Sequence, residues 1–226
     1  MIVYDKKNNV MRGVRAAIFD LDGTLFDSIS VWERIDVDYL KKRGLAPSDE
    51  YRKAIAALGN LETARFSVEY FKLNEQPETL AAEWTAMAIR AYSETVPLLE
   101  GSAEYLRDCA ARGICIFAVT SLDRTLAVPC LKNNGIFGFF DGIITADEAG
   151  MNKSSPQMYA YAALRADENA GDCIVFDDVA AALRAAKAAG MTTVAITGAD
   201  GRAFDDNCVD CFAVNLACAP ELEKDV

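Results

Sequence analysis

Asp20 and Asp22 stand two positions apart in the run Asp20-Leu21-Asp22-Gly23-Thr24-Leu25, directly after the apolar stretch Val14–Phe19. A strand ending in an Asp-Gly turn would explain this pattern without chemistry. Under that reading, two acids flanked by large apolar groups repel each other for no benefit. The other reading gives them separate tasks. A carboxylate at a strand end can attack an electrophile, and one in the following loop can move a proton. Two acids in different environments can divide nucleophilic and acid/base roles in this way. Gly23 lets backbone come close to an anion. Other polar residues also follow apolar runs: Thr120-Ser121, Lys153 before Ser154-Ser155-Pro156, and Asp177-Asp178. Singly, each is commonplace. A Thr-Ser caps a helix, a lone Lys in a polar loop is solvated, and an Asp pair before a helix complements its dipole.

The elements that must position these groups are legible as nearly continuous apolar runs: Val14–Phe19, Ile114–Val119, Gly142–Thr145, Cys173–Phe176, Thr192–Ile196 and Cys211–Val214. Runs that do not alternate imply strands covered on both faces, hence a parallel sheet between helices. Helical patterns fill the gaps at Ser102–Ala111, Asp123–Asn133, Ser155–Arg165 and Val179–Ala189. Gly190 is placed to end the last of these, and Ser154-Ser155-Pro156 to start the third. Residues 28–96 break the rhythm. They read as four amphipathic helices, Ile29–Arg43, Asp49–Leu58, Leu61–Leu73 and Glu78–Ser93, punctuated by Gly44, Gly59-Asn60 and Pro77. The predicted architecture is an α/β core of residues 1–27 plus 97–226, with a helical insert over 28–96. In open α/β sheets the ligand site lies beyond the carboxyl ends of the strands. An insert leaving from that end would sit over the site as a lid.

The run Asp20–Leu25 resembles the first motif of the haloacid dehalogenase-like hydrolases, D-x-D-G-T followed by an apolar residue. The family's further motifs appear in order. Thr120-Ser121 is similar to the second, the Lys153–Pro156 segment to the Lys-Pro-x-Pro segment, and Asp177-Asp178 to the paired acids. The resemblance covers residues 14–200, and the helical insert points to the phosphoglycolate phosphatase and β-phosphoglucomutase-like branch. It implies a Rossmann-like parallel sheet core with an inserted all-helical cap domain. It also implies Asp20 as a nucleophile forming an aspartyl-phosphate and Asp22 as the acid/base. Thr120, Ser121, Lys153 and Gly23 would bind the phosphate. Ser154 replaces the family's usual Pro, Gln157 a common Asp, and Val179 a small polar residue. None of these removes a proposed catalytic group.

Charge then fixes the cofactor. Four carboxylates against Lys153 would repel a phosphate monoester, whereas a divalent cation with oxygen ligands resolves the conflict. The expected ion is Mg²⁺, held by the Asp20 side chain, the Asp22 main-chain carbonyl and Asp178, with Asp177 direct or through water. The resulting expectation is a phosphatase acting on a small phosphorylated metabolite. A β-phosphoglucomutase-like mutase is disfavoured, because Gly59 is followed by Asn60, Leu61 and Glu62 where those enzymes carry an Arg, and Arg65 is at the wrong spacing. A carbon–halogen hydrolase has no use for the acid at Asp22. An inactive phosphate-binding protein is the remaining alternative.

Composition narrows the field further. The 226 residues carry 23 Lys and Arg against 34 Asp and Glu, a formal charge of −11, and no His. Ser-His-Asp catalysis and His-ligated metal within the chain are excluded. The acidic balance argues against sequence-independent nucleic-acid binding and against anionic membranes. The longest apolar run, Met158–Leu164, has seven residues, against the roughly 20 that span a bilayer. The first residues lack a signal-peptide core, and the odd number of cysteines, seven, suits a reducing compartment, so the cytoplasm is expected. Cys208-Val-Asp-Cys211 has the spacing of half a zinc site, but it lacks the other half.

Overall fold

The computed structural model describes residues 1–55, 58, 60–199 and 201–224. In chain order the elements are β1 (Val3–Asp5), β2 (Val10–Arg12), β3 (Ala16–Phe19), α1 (Ile29–Lys42), α2 (Asp49–Ile55), α3 (Asn60–Phe71), α4 (Pro77–Glu94), α5 (Ser102–Ala111), β4 (Cys115–Thr120), α6 (Arg124–Asn133), β5 (Gly142–Thr145), α7 (Ala146–Ala149), α8 (Pro156–Arg165), β6 (Cys173–Asp177), α9 (Ala180–Ala188), β7 (Thr192–Ile196), β8 (Cys211–Ala213) and β9 (Glu221–Glu223). They fall into two compact units, Met1–Ser28 with Val96–Val226, and Ile29–Thr95.

The first unit is built on a six-stranded sheet of order β5-β4-β3-β6-β7-β8. Every neighbouring pair in it is parallel. The chain lays β4 and β5 on one side of β3, then crosses over and adds β6, β7 and β8 on the other. The order therefore reverses between β3 and β6, which is where open α/β sheets leave a crevice at their carboxyl edge. Register places Phe19 beside Ala118 on one flank and Phe176 on the other. Asp20 thus emerges from the sheet next to Asp177, and the Asp20 amide donates to the Phe176 carbonyl at 2.9 Å.

Residues of β3 and β6 are buried on both faces, as continuous apolar runs require. The Phe19 and Phe176 rings stack at 4.8 Å, with Tyr105 edge-on to Phe176 at 5.4 Å. On the other side, α9 buries Ala182, Leu183, Ala185 and Ala186. Its small side chains let the helix lie close to β6 and β7, and Gly190 follows its end in the left-handed region (φ 90°), where only glycine is unstrained.

Two features depart from the sequence reading. A hairpin, β1 with β2, extends through β9 into a second, three-stranded sheet. Strands of three residues carry too short an alternation to stand out from sequence. Ser155 does occupy the N-cap of α8, but its side chain makes no cap. Its hydroxyl bonds Gln157 instead. Gly59, read as a helix break, lies outside the described residues, as do 56 and 57 at the expected end of α2.

The helical unit packs α1, α3 and α4 around Tyr39, Tyr51, Leu80, Trp84, Ala88 and Tyr92, all buried. Arg43 lies over the Tyr39 ring at 3.7 Å and pairs with Glu75 and Glu83. Arg65 is an exposed residue 4.0 Å from Glu78. Not every aromatic side chain is core, since Trp32 and Tyr70 are exposed. Trp32 lines a cavity of about 500 Å³ with Asp36, Arg52, Asn60 and Trp84.

Asp36 is 8% exposed and accepts the Tyr51 hydroxyl at 2.9 Å. Burial raises its pKa, opposed by Tyr51 and Arg52. The folded chain therefore holds this proton more tightly than the unfolded chain. The stability gained at this position is complete below the ordinary Asp pKa of roughly 3.9 and fades as pH rises through the folded value. Asp36→Asn, a neutral acceptor of the same shape, is expected to raise the melting temperature by a few degrees at pH 7 and much less at pH 4. Thermal unfolding at the two pH values checks this, and equal shifts would contradict it.

Candidate active site

The site forms where four strand ends meet loops. β3 delivers Asp20, and residues 21–26 then fold on themselves. The Leu21 carbonyl accepts from the Leu25 and Phe26 amides at 2.9 and 2.8 Å, while the Gly23 amide donates to the Phe26 carbonyl at 3.0 Å. Gly23 has φ 76°, which a side chain rarely tolerates. A Cβ there would lie 2.2 Å from Asp178 Oδ2. Glycine is thus required twice, for the turn and for room. Gly23→Ala is expected to cost roughly 1–3 kcal/mol and to push Asp178 out of place. Chemical denaturation checks the first effect, and a fall in Mg²⁺ affinity by calorimetry checks the second.

β6 delivers Asp177 and, one residue later, Asp178. Asp177 Oδ1 accepts the Val179 amide at 2.9 Å, which fixes the turn into α9. One carboxylate oxygen from each of Asp20, Asp177 and Asp178 can be chosen so that all three lie within 4.8 Å of one another. Lys153, from the loop before α8, reaches into this group. Its Nζ is 2.7 Å from Asp20 Oδ1 and 2.8 Å from Asp177 Oδ2. The loop is shaped by Asn152, whose side chain accepts the Ser154 amide at 2.9 Å.

The commonplace reading of Lys153 as solvated does not hold, since it is 7% exposed. Burial disfavours its charge, yet Asp20 and Asp177 outweigh burial and push its pKa up. Burial likewise lifts the Asp177 carboxyl, to about 7, against the pull of Lys153. Asp178 is raised by burial and by Asp20, and pulled back by Arg202.

Thr120 ends β4 and is buried, its Oγ1 accepting the Leu122 amide at 3.0 Å. Ser121 follows it and is exposed. The Asp22 carboxylate is not part of the three-acid group. Its charge adds to burial in pushing the Cys130 thiol up to about 12. Cys208 and Cys211 are buried free thiols. One residue of the site was missed. Arg202, in the loop after β7, pairs with Asp178. No motif marks it, because its position depends on how that loop returns to the sheet edge. The acids therefore face two protein cations.

The donor set fits a hard divalent cation. It consists of carboxylate oxygens, with neither thiolate nor imidazole among the three converging groups, and oxygen donors suit Mg²⁺.

Comparison with known proteins decides the family. Residues 14–190 match the family described as haloacid dehalogenase-like hydrolase. The chain belongs to that family. Validoxylamine A 7'-phosphate phosphatase of Streptomyces hygroscopicus subsp. limoneus is 28% identical over 187 residues, covering 81% of this chain and 85% of its own length. Hexitol phosphatase B of Escherichia coli K12 is 27% identical over 191 residues, covering 82% and 84%. Among solved structures, CbbY from Rhodobacter sphaeroides in complex with phosphate superposes with a TM-score of 0.72 at 20% identity, over 90% of this chain and 95% of that one. The haloacid dehalogenase-like fold read from the motifs is thus the observed one. Among the described residues no helix is long and apolar enough to cross a membrane.

Proposed function

We propose that this haloacid dehalogenase-like hydrolase is a Mg²⁺-dependent phosphatase that hydrolyses a small phosphorylated sugar or polyol through an aspartyl-phosphate on Asp20. The observation that carries the reading is the convergence of Asp20, Asp177 and Asp178 within 4.8 Å, with Lys153 seated 2.7 Å from Asp20. The phosphatase names of the similar proteins support the reaction class, and their substrates support the choice of a sugar or polyol phosphate.

Asp20, Asp178 and the Asp22 carbonyl would hold the ion, with Asp177 direct or through water. Once bound, the ion would neutralise charge on the phosphoryl oxygens. Lys153 holds Asp20 Oδ1 and leaves the second oxygen to attack phosphorus. A bond forms between that oxygen and phosphorus as the bond to the leaving oxygen breaks, and Asp22 gives that oxygen its proton. Asp22 then takes a proton from water, which attacks phosphorus and frees Asp20. Thr120, Ser121 and Lys153 are assigned to the phosphoryl oxygens, where donors act most strongly; Gly23, read from sequence as a further phosphate contact, spends its amide on the Phe26 carbonyl. The helical unit, read from sequence as a cap over 28–96, is assigned substrate selection.

The test is release of inorganic phosphate from hexitol and hexose phosphates, with Mg²⁺ and with EDTA. Release that EDTA abolishes is expected. Failure to hydrolyse any of these, together with p-nitrophenyl phosphate, would overturn the reading. Isomerisation that needs a bisphosphate would favour a mutase.

A further inference from the structure

Each acid of the three-carboxylate group is held by a cation of the protein itself. Lys153 spans Asp20 and Asp177, and Arg202 takes Asp178 through Oδ2. A divalent ion drawing on all three acids must share or displace these cations. The two differ in their freedom to leave. The Lys153 side chain is 8% exposed and anchored between two carboxylates, one of them 1% exposed. The Arg202 side chain is 25% exposed. Arg202 directly follows Gly201 in the segment after β7, where Gly198 and Gly201 both have positive φ (68° and 66°), and its own amide donates to the Thr197 carbonyl at 3.0 Å. A guanidinium that is a quarter exposed has water within reach of its head, whereas an ammonium enclosed between two buried carboxylates does not.

We propose that Arg202 competes with the divalent cation for Asp178, acting as an internal counter-ion that withdraws when the ion binds. The inference rests on the Mg²⁺ site described under the proposed function. Arg202 is thereby a positioning residue that sets the affinity of the site for metal, without touching substrate. Its guanidinium stabilises the acidic group, and the same charge opposes the approach of a second cation.

The experiment is titration calorimetry of the purified full chain with MgCl₂, together with melting temperatures with and without the ion. Wild type is compared with Arg202→Gln and Arg202→Lys. For Arg202→Gln, Mg²⁺ affinity is expected to rise on the order of ten-fold, the size of removing one partly screened charge beside a divalent ion. Its melting temperature without Mg²⁺ should fall, and the rise on adding Mg²⁺ should be larger than for wild type. Arg202→Lys keeps the charge and should bind Mg²⁺ close to the wild-type affinity. Unchanged or weaker Mg²⁺ binding by Arg202→Gln would overturn the competition and show that Arg202 is neutral or instead orients Asp178. Absence of Mg²⁺ binding by wild type would instead overturn the metal site itself.

Discussion

Asp20→Asn is expected to slow phosphate release by about 10⁴-fold or more, the scale of removing a nucleophile from a group that acts as a unit. The side chain keeps its size, and its oxygen can still accept from Lys153, so the sheet edge should stay intact. The carboxylate that would join phosphorus is gone, and a neutral amide at this pH is a poor nucleophile. Asp20 is 5% exposed, and because Asn matches its volume the substitution changes charge more than packing. Steady-state rates on a hexitol phosphate check the effect, and unchanged melting shows that the loss is chemical. Activity within ten-fold of wild type would remove Asp20 from the reaction.

The second large effect belongs to Lys153→Met. The substitution matches the length of the stem but leaves Asp20 and Asp177 side by side without their shared cation. Their side chains are 6% and 1% exposed, so water cannot replace it. Breaking a buried pair by deleting one partner costs roughly 3–5 kcal/mol, and for a chain of this size that lowers the melting temperature on the order of 10 °C. Mg²⁺ should recover much of this loss, because an ion at the three acids would supply the missing positive charge. Turnover should remain low in Mg²⁺, since a donor to the phosphoryl oxygens is lost. A variant that melts like wild type without Mg²⁺ would show that the pair contributes nothing. Arg202 offers a contrast, since its pairing is more exposed and its loss should cost less.

The parts of this site that sequence reveals are those fixed by strand ends. Asp20 and Asp177 become neighbours because Phe19 pairs with Phe176, and continuous apolar runs predict such pairing. Lys153 was readable as a motif member, but not as buried. Nothing in Lys153-Ser154-Ser155 distinguishes a lysine that bends inward from one that faces water. Arg202 was not readable at all, since the return of a loop to the sheet edge depends on tertiary contacts. The same limit hid the first hairpin. Its three-residue strands gain their register from β9, more than two hundred residues away in the chain. Helices α1, α3 and α4 were visible through long periodic patterns, yet those patterns did not separate buried Trp84 from exposed Trp32.

During turnover Asp20 is expected to form a covalent bond to phosphorus. Acid quenching in the steady state, followed by borohydride reduction and mass spectrometry of the peptide containing residues 14–27, reads that bond directly. The expected result is reduction of residue 20 to homoserine, only when substrate and Mg²⁺ are both present. An unmodified Asp20 in protein that is turning over substrate, or reduction at Asp22 instead, would contradict it.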